Sequence, residues 1–169
     1  MATNADLRPH LFPGEQELME KEFRRASSYL EFGTGGSTVL ALESGLKRIV
    51  TADSDPVFLD KVRAVAPTCP ERDIDFVFCD LGPTGEWGNP VGRDNIINWS
   101  QYFTLPWQRF LARNEVPDLI YIDGRFRVAC ALYSILILHV RCNRWFGMKS
   151  RLMIHDFLRP EYSKVKDYG

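Results

Sequence analysis

The sequence predicts one α/β domain built on a parallel sheet, and three observations predict it. Short apolar runs alternate with longer stretches of helical periodicity along the 169 residues. The runs end in Gly or Asp, residues that suit the turn from a strand into the next element. Their positions are apolar in succession, the pattern of strands covered by helices on both faces through right-handed crossovers.

Each element has its own signal. Glu15–Ala26 is charged and helix-prone, with Leu18, Met19 and Phe23 at helical spacing, so residues 1–27 read as an N-terminal helical arm. Tyr29–Phe32 is the first strand and runs into Gly33-Thr34-Gly35-Gly36; Ser37 supplies an N-cap for a helix that stops at Gly45. Arg48–Ala52 is the second strand, and Asp55-Pro56 opens the next helix with Pro at its first position. Asp75–Cys79, Asp118–Ile122 and Arg151–His155 are the third, fourth and fifth strands, and Val128–Arg141 is a helix. Residues 81–100 hold four glycines, two prolines and two tryptophans, a long irregular loop of the kind that is functional or mobile.

Composition narrows the function. Hydrophobic residues make up 45% and charged residues 25%, with 21 Lys and Arg against 22 Asp and Glu. Plentiful aromatics and near-zero net charge exclude disorder as the main state and count against nucleic-acid binding by bulk charge. Cys69, Cys79, Cys130 and Cys142 form no CxxC pair, which gives neither a zinc site nor a disulfide framework. Met1–Asp6 lacks signal-peptide order, so a cytoplasmic setting is expected. The apolar run Val128–Val140 falls short of the ~20 residues a membrane span needs, so no membrane partner is expected and the run reads as a buried helix.

In open parallel sheets, ligands bind beyond the carboxyl ends of the strands. The residues there are Glu31–Gly36, Asp53, Asp80, Asp123 and His155-Asp156. Glycines after the first strand let backbone approach a ligand at a helix N-terminus. Thr38 stands where a dinucleotide loop has its third glycine, and a carboxylate at Glu31 would repel a pyrophosphate; it suits an ammonium or sulfonium group at the pocket edge. Asp53 follows the second strand, where an acidic residue accepts from ribose hydroxyls.

Glu31-Phe-Gly33-Thr-Gly35-Gly36-Ser37-Thr38, then Asp53-Ser-Asp55-Pro56, Asp80, Asp118–Gly124 and Leu152–Asp156, resemble the class I S-adenosylmethionine-dependent methyltransferases. The stretch Asp123–Leu132 also resembles a poorly characterised methyltransferase-like subgroup. The resemblance implies a Rossmann-like three-layer sandwich with a mostly parallel sheet in strand order 3-2-1-4-5. It places the Glu31, Gly33, Gly35, Gly36 and Ser37 segment along the methionine part of the cofactor, Asp53 on its ribose, and Asp80 with Leu81 near its adenine. Asp123 completes the cofactor set at the reacting edge.

On the reacting side, Asp123 and Asp156 end adjacent strands, as do the two carboxylates of metal-dependent O-methyltransferases; Phe157 stands where those enzymes have Asn, so a divalent metal is not favoured. His155 is a candidate base that would act with Asp123, unless strand alternation turns it toward a helix layer; His10 and His139 lie elsewhere. Between Arg125 and His155 there is no acidic residue, but Arg125, Arg127, Arg141, Arg144, Lys149 and Arg151 are basic. Arg125 and Arg127 follow Asp123 directly and would suit an anionic acceptor. Trp87 or Trp99 would close over the cofactor or anchor the long loop, while Tyr102, Phe103 and Trp107 read as core.

The favoured reading is methyl transfer from S-adenosylmethionine to a small-molecule acceptor. No Asn-Pro-Pro-aromatic motif follows the fourth strand, which disfavours DNA-base chemistry. A non-catalytic cofactor-binding module that needs a partner, and an NAD-dependent oxidoreductase, are the other readings. Twelve residues follow Phe157, too few for the sixth and seventh strands that the family adds, so the expectation is either a truncated product or a sheet that ends at five strands, its acceptor site open or completed by another chain such as a second copy.

Overall fold

The computed structural model describes residues 7–66, 71–142 and 150–168; Cys69, Arg144, Lys149 and the Cys142 side chain lie outside the described residues. Five parallel strands form one sheet: β1 (Ser28–Phe32), β2 (Arg48–Asp53), β3 (Asp73–Phe78), β4 (Leu119–Ile122) and β5 (Arg151–Ile154), in the order β3-β2-β1-β4-β5. The predicted order is therefore the observed one.

Alternation along the strands divides the core into two layers. Tyr29, Ile49, Leu119 and Tyr121 face α1 (Glu15–Phe23) and α2 (Gly36–Glu43) through Met19, Phe23, Ala41 and Leu42. Leu30, Phe32, Val50, Ile120 and Ile122 face α4 (Gln101–Leu111) and α5 (Arg127–Cys142) through Trp107, Phe110, Cys130 and Ala131. Between them, α3 (Pro56–Val65) packs Val62 on the α2 side. Trp107 is fully buried, and its Nε1 donates to Ser134 Oγ at 3.0 Å, tying α4 to α5.

Local chemistry sets the helix starts. Asp55 Oδ1 accepts from Val57 N at 2.9 Å and Phe58 N at 3.1 Å, with Pro56 first in α3. α2 begins differently from the expected Ser37 cap. Gly35 is its N-cap, and Gly35 N donates to Thr38 Oγ1 at 3.0 Å. The Ser37 hydroxyl is drawn inward to Glu31 instead.

β5 pairs with β4 on one side, and all four of its residues are half-buried. Beyond it a 3-10 segment, Pro160–Asp167, folds back and buries Val165 against the core. Among the described residues the sheet ends at five strands. The expected fully buried helix at Val128–Val140 is corrected: Leu136 and Val140 are exposed on its outer face. No helix among the described residues is long and apolar enough to cross a membrane.

Candidate functional site

The carboxyl ends of β1, β2 and β4 meet at two glycines. Gly33 has φ +105°, a conformation L side chains rarely adopt, and a Cβ there would lie 2.6 Å from Gly124 N. At Gly124, a Cβ would lie 2.0 Å from the Tyr102 hydroxyl. The loops after β1 and β4 thus touch backbone to backbone. Phe32 O accepts from Asp123 N at 2.8 Å and Gly124 N at 2.7 Å, which locks that approach. At Gly35 a Cβ would meet nothing closer, among the described residues, than the Phe58 ring edge at 3.8 Å, an ordinary van der Waals contact. Gly36 lies under the N-terminal arm, where a Cβ would meet Pro9 N at 2.2 Å.

Glu31 is not at the rim, as expected from the sequence, but beneath the loop and fully buried. The register places Thr51 of β2 beside it. Thr51 Oγ1 donates to its carboxylate at 2.8 Å and Tyr29 OH at 3.2 Å, and the Ser37 and Thr38 hydroxyls donate as well. Burial raises the Glu31 carboxyl to about 7, against the pull of these four hydroxyls. Glu31 and Ser37 therefore form the floor that fixes the loop from below.

Asp53 ends β2, and its Oδ1 accepts from Asp55 N at 2.9 Å. Burial raises its carboxyl above the usual range, and backbone N–H groups of Asp55, Ser54 and Thr34 oppose the shift. Asp80 is exposed and accepts from Gly82 N at 2.8 Å, an Asx turn, while Leu81 is buried in the core. In the long loop, Thr84 bridges to Pro90, and Gly88 reaches Ser54 just after β2, where a Cβ would lie 3.3 Å from Ser54 Oγ. Trp87 is 84% exposed and does not anchor the loop by burial. Trp99 packs on Phe126, with ring centroids 5.4 Å apart.

Arg127 organises the reacting edge in a way the sequence did not reveal. Its guanidinium donates to Gly124 O at 3.2 Å, Asp123 O at 2.9 Å and His155 O at 2.8 Å. It also pairs with Asp123 Oδ1 at 2.7 Å and Asp156 Oδ2 at 3.5 Å. The expectation that Arg127 binds an acceptor is corrected, because its donors are spent on the loops after β4 and β5. The two carboxylates considered for a divalent metal converge on this cation, and Asp156 is held further by Arg159 at 2.5 Å. No group of three or more metal-ligating side chains occurs among the described residues. Burial raises the Asp123 carboxyl, with His155 and Arg127 pulling it back.

His155 turns to the α1 side, the outcome strand alternation allowed. Its ring stacks on Phe12 with centroids 5.9 Å apart, and its nitrogens lie 3.6 Å from Glu15 and 3.4 Å from Asp156. The ring is thus positioned between α1 and the loop after β5. Two non-glycine residues with left-handed backbone, Phe126 (φ 52°) and Asp156 (φ 57°), follow β4 and β5, and such strain concentrates at functional ends of folds.

Two cavities flank this end. One of about 590 Å³ lies between the long loop, the start of α5 and the 3-10 segment, with Asn89, Arg125, Phe126, Leu132, Arg159 and Tyr162 in its wall. A larger one of about 820 Å³ runs along the open edge of β5 and includes Leu18, Leu138, Leu152, Met153 and His155.

A parallel five-strand sheet in this order, with a glycine loop after β1 and acidic residues after β2 and β4, is a methyltransferase-type Rossmann-like fold. The chain is similar to the crystal structure of a methyltransferase-like protein from Silicibacter pomeroyi DSS-3, 26% identical, with a TM-score of 0.75 over 95% of this chain and 80% of that one. The likeness supports methyl transfer as the general class of chemistry. No protein-family model matches the chain, and neither does any curated protein.

Proposed function

We propose that this chain transfers the methyl group of S-adenosylmethionine to a small-molecule acceptor bound beside the end of β4. The observation that carries the reading is the junction of Gly33 and Gly124, which joins an open glycine loop to Asp53 and Asp123 at the strand ends. The donor set fits the group. Gly35 leaves room for close backbone approach, and a sulfonium with an ammonium favours carboxylate surroundings. Asp53 has spare acceptor capacity beyond its backbone bonds, since each carboxylate oxygen carries two lone-pair directions.

When bound, the cofactor supplies an electrophilic methyl on a charged sulfur that leaves neutral. The chain's part is positioning. Glu31 holds Ser37 and Thr38, and with them the loop, so the cofactor-facing backbone is fixed in advance. Arg127 fixes the loops after β4 and β5, which sets where an acceptor can stand. Asp123, lifted by burial, is the group at that edge able to take a proton from an acceptor hydroxyl or amine.

The test is calorimetry with S-adenosylhomocysteine and with NAD. S-adenosylhomocysteine is expected to bind and NAD not, and Asp53→Asn should weaken binding by about tenfold, the loss of one ribose hydrogen bond to a charged group. Binding of NAD in preference, or no binding of S-adenosylhomocysteine, would overturn the reading.

A further inference from the structure

Around the 590 Å³ cavity three arginines meet two aspartates. Arg127 is paired with Asp123 and Asp156, and Arg159 with Asp156. Arg125 is the remaining cation, and among the described residues it has no carboxylate partner. Its NH1 donates to the amide oxygen of Asn89 at 3.0 Å. That amide is itself oriented, because Asn89 Nδ2 donates to Glu86 O at 2.9 Å. A neutral partner steers a guanidinium without cancelling its charge. Next to it in the cavity wall stands Tyr162, whose ring lies under Arg127 with the guanidinium carbon 5.9 Å from its centroid. The rest of the wall is apolar, formed by Pro90, Phe126, Val128 and Leu132.

From this we infer that the acceptor is an amphipathic monoanion, a carboxylic acid with a planar or aliphatic body, whose carboxylate is bound by Arg125 and whose body lies on the Phe126, Val128 and Leu132 wall. The inference rests on the methyl-transfer reading and deepens it by naming the substrate class. One guanidinium with no directly paired carboxylate matches one carboxylate in a two-bond fork. A phosphate dianion would leave a second charge without a partner, and a neutral ligand would leave the half-buried Arg125 guanidinium without an anion to pair with. The site draws on three segments distant in sequence, so of its polar members only Arg125 and Arg127 were visible in the sequence as candidates.

The experiment is a ligand-observed NMR titration with three ring-matched probes, benzoate, phenyl phosphate and benzyl alcohol, on the protein alone and saturated with S-adenosylhomocysteine. Benzoate is expected to bind at least about tenfold more tightly than either of the others, and Arg125→Gln to remove that preference while benzyl alcohol binding stays as it was. Equal binding of benzoate and benzyl alcohol, tighter phenyl phosphate, or a benzoate preference that survives Arg125→Gln would overturn the inference. If S-adenosylhomocysteine does not bind but the Arg125-dependent benzoate preference is intact, the anion site stands and the methyl-transfer reading falls. If S-adenosylhomocysteine binds and the preference is missing, the reverse holds.

Discussion

Glu31 shows how one side chain can link the stability of the molecule to the shape of its loop. Its ordinary carboxyl value of 4.5 rises to about 7 in the folded protein, because burial disfavours the charge more than four hydroxyl donors favour it. The folded state therefore holds this proton more tightly than the unfolded chain does. That contribution is complete below pH 4.5 and is lost as pH climbs through about 7, by an amount on the order of 3 kcal/mol. The melting temperature should fall between pH 5 and pH 8 in the wild type, and Glu31→Gln should flatten the slope. An unchanged slope in the variant would show that other groups carry it. The carboxylate at this position was legible in the sequence, but its burial was not. Only the β1–β2 register, which places Thr51 opposite it, and the inward turn of Ser37 and Thr38 make an acidic residue tolerable there.

At the level of elements, the strands followed directly from apolar runs punctuated by Gly, Asp and Pro, and helix α3 from Asp55-Pro56. Those signals are local, so they survive without tertiary information. Contacts across the sheet are not local. The Ser37 cap gave way to a buried carboxylate six residues back, and the pair Arg125-Arg127 split into a cation held by an amide and a clamp. Arg127 is the sharper case, since its partners come from two strand ends. Replacing it by Met should keep the helix but leave Asp123 and Asp156 short of a counter-ion and three carbonyls without this donor. Breaking such a half-buried network costs about 3 kcal/mol, or roughly 6–12 °C in melting temperature for a domain of this size. Arg127→Lys should recover only part of the loss, because one ammonium cannot span both loops as the guanidinium fork does. A Met variant that melts within 2 °C of wild type would rule out the clamp.

For the whole molecule, the decisive asymmetry lies between the two edges of the candidate site. β1 is central, paired on both sides and buried from Tyr29 to Phe32. β5 is four residues long, paired on one side, half-buried throughout, and bordered by the 820 Å³ apolar groove. The glycine loop thus hangs from the most enclosed strand, while the acceptor-side Asp156 hangs from the least enclosed one. Local opening follows buried contacts and paired backbone, so it should start at β5 and reach β1 only on global unfolding. Native-state hydrogen exchange should then find Leu152–Ile154 amides exchanging about a hundredfold or more faster than those of Leu30–Phe32. Met153→Lys, which places a charge on the α1 side of that edge, should widen the difference while leaving β1 protection within the change in global stability. If β5 and β1 exchanged together, the edge would belong to the same cooperative unit as the cofactor loop. The acceptor side would then be as rigid as the cofactor side, contrary to what its pairing and burial imply.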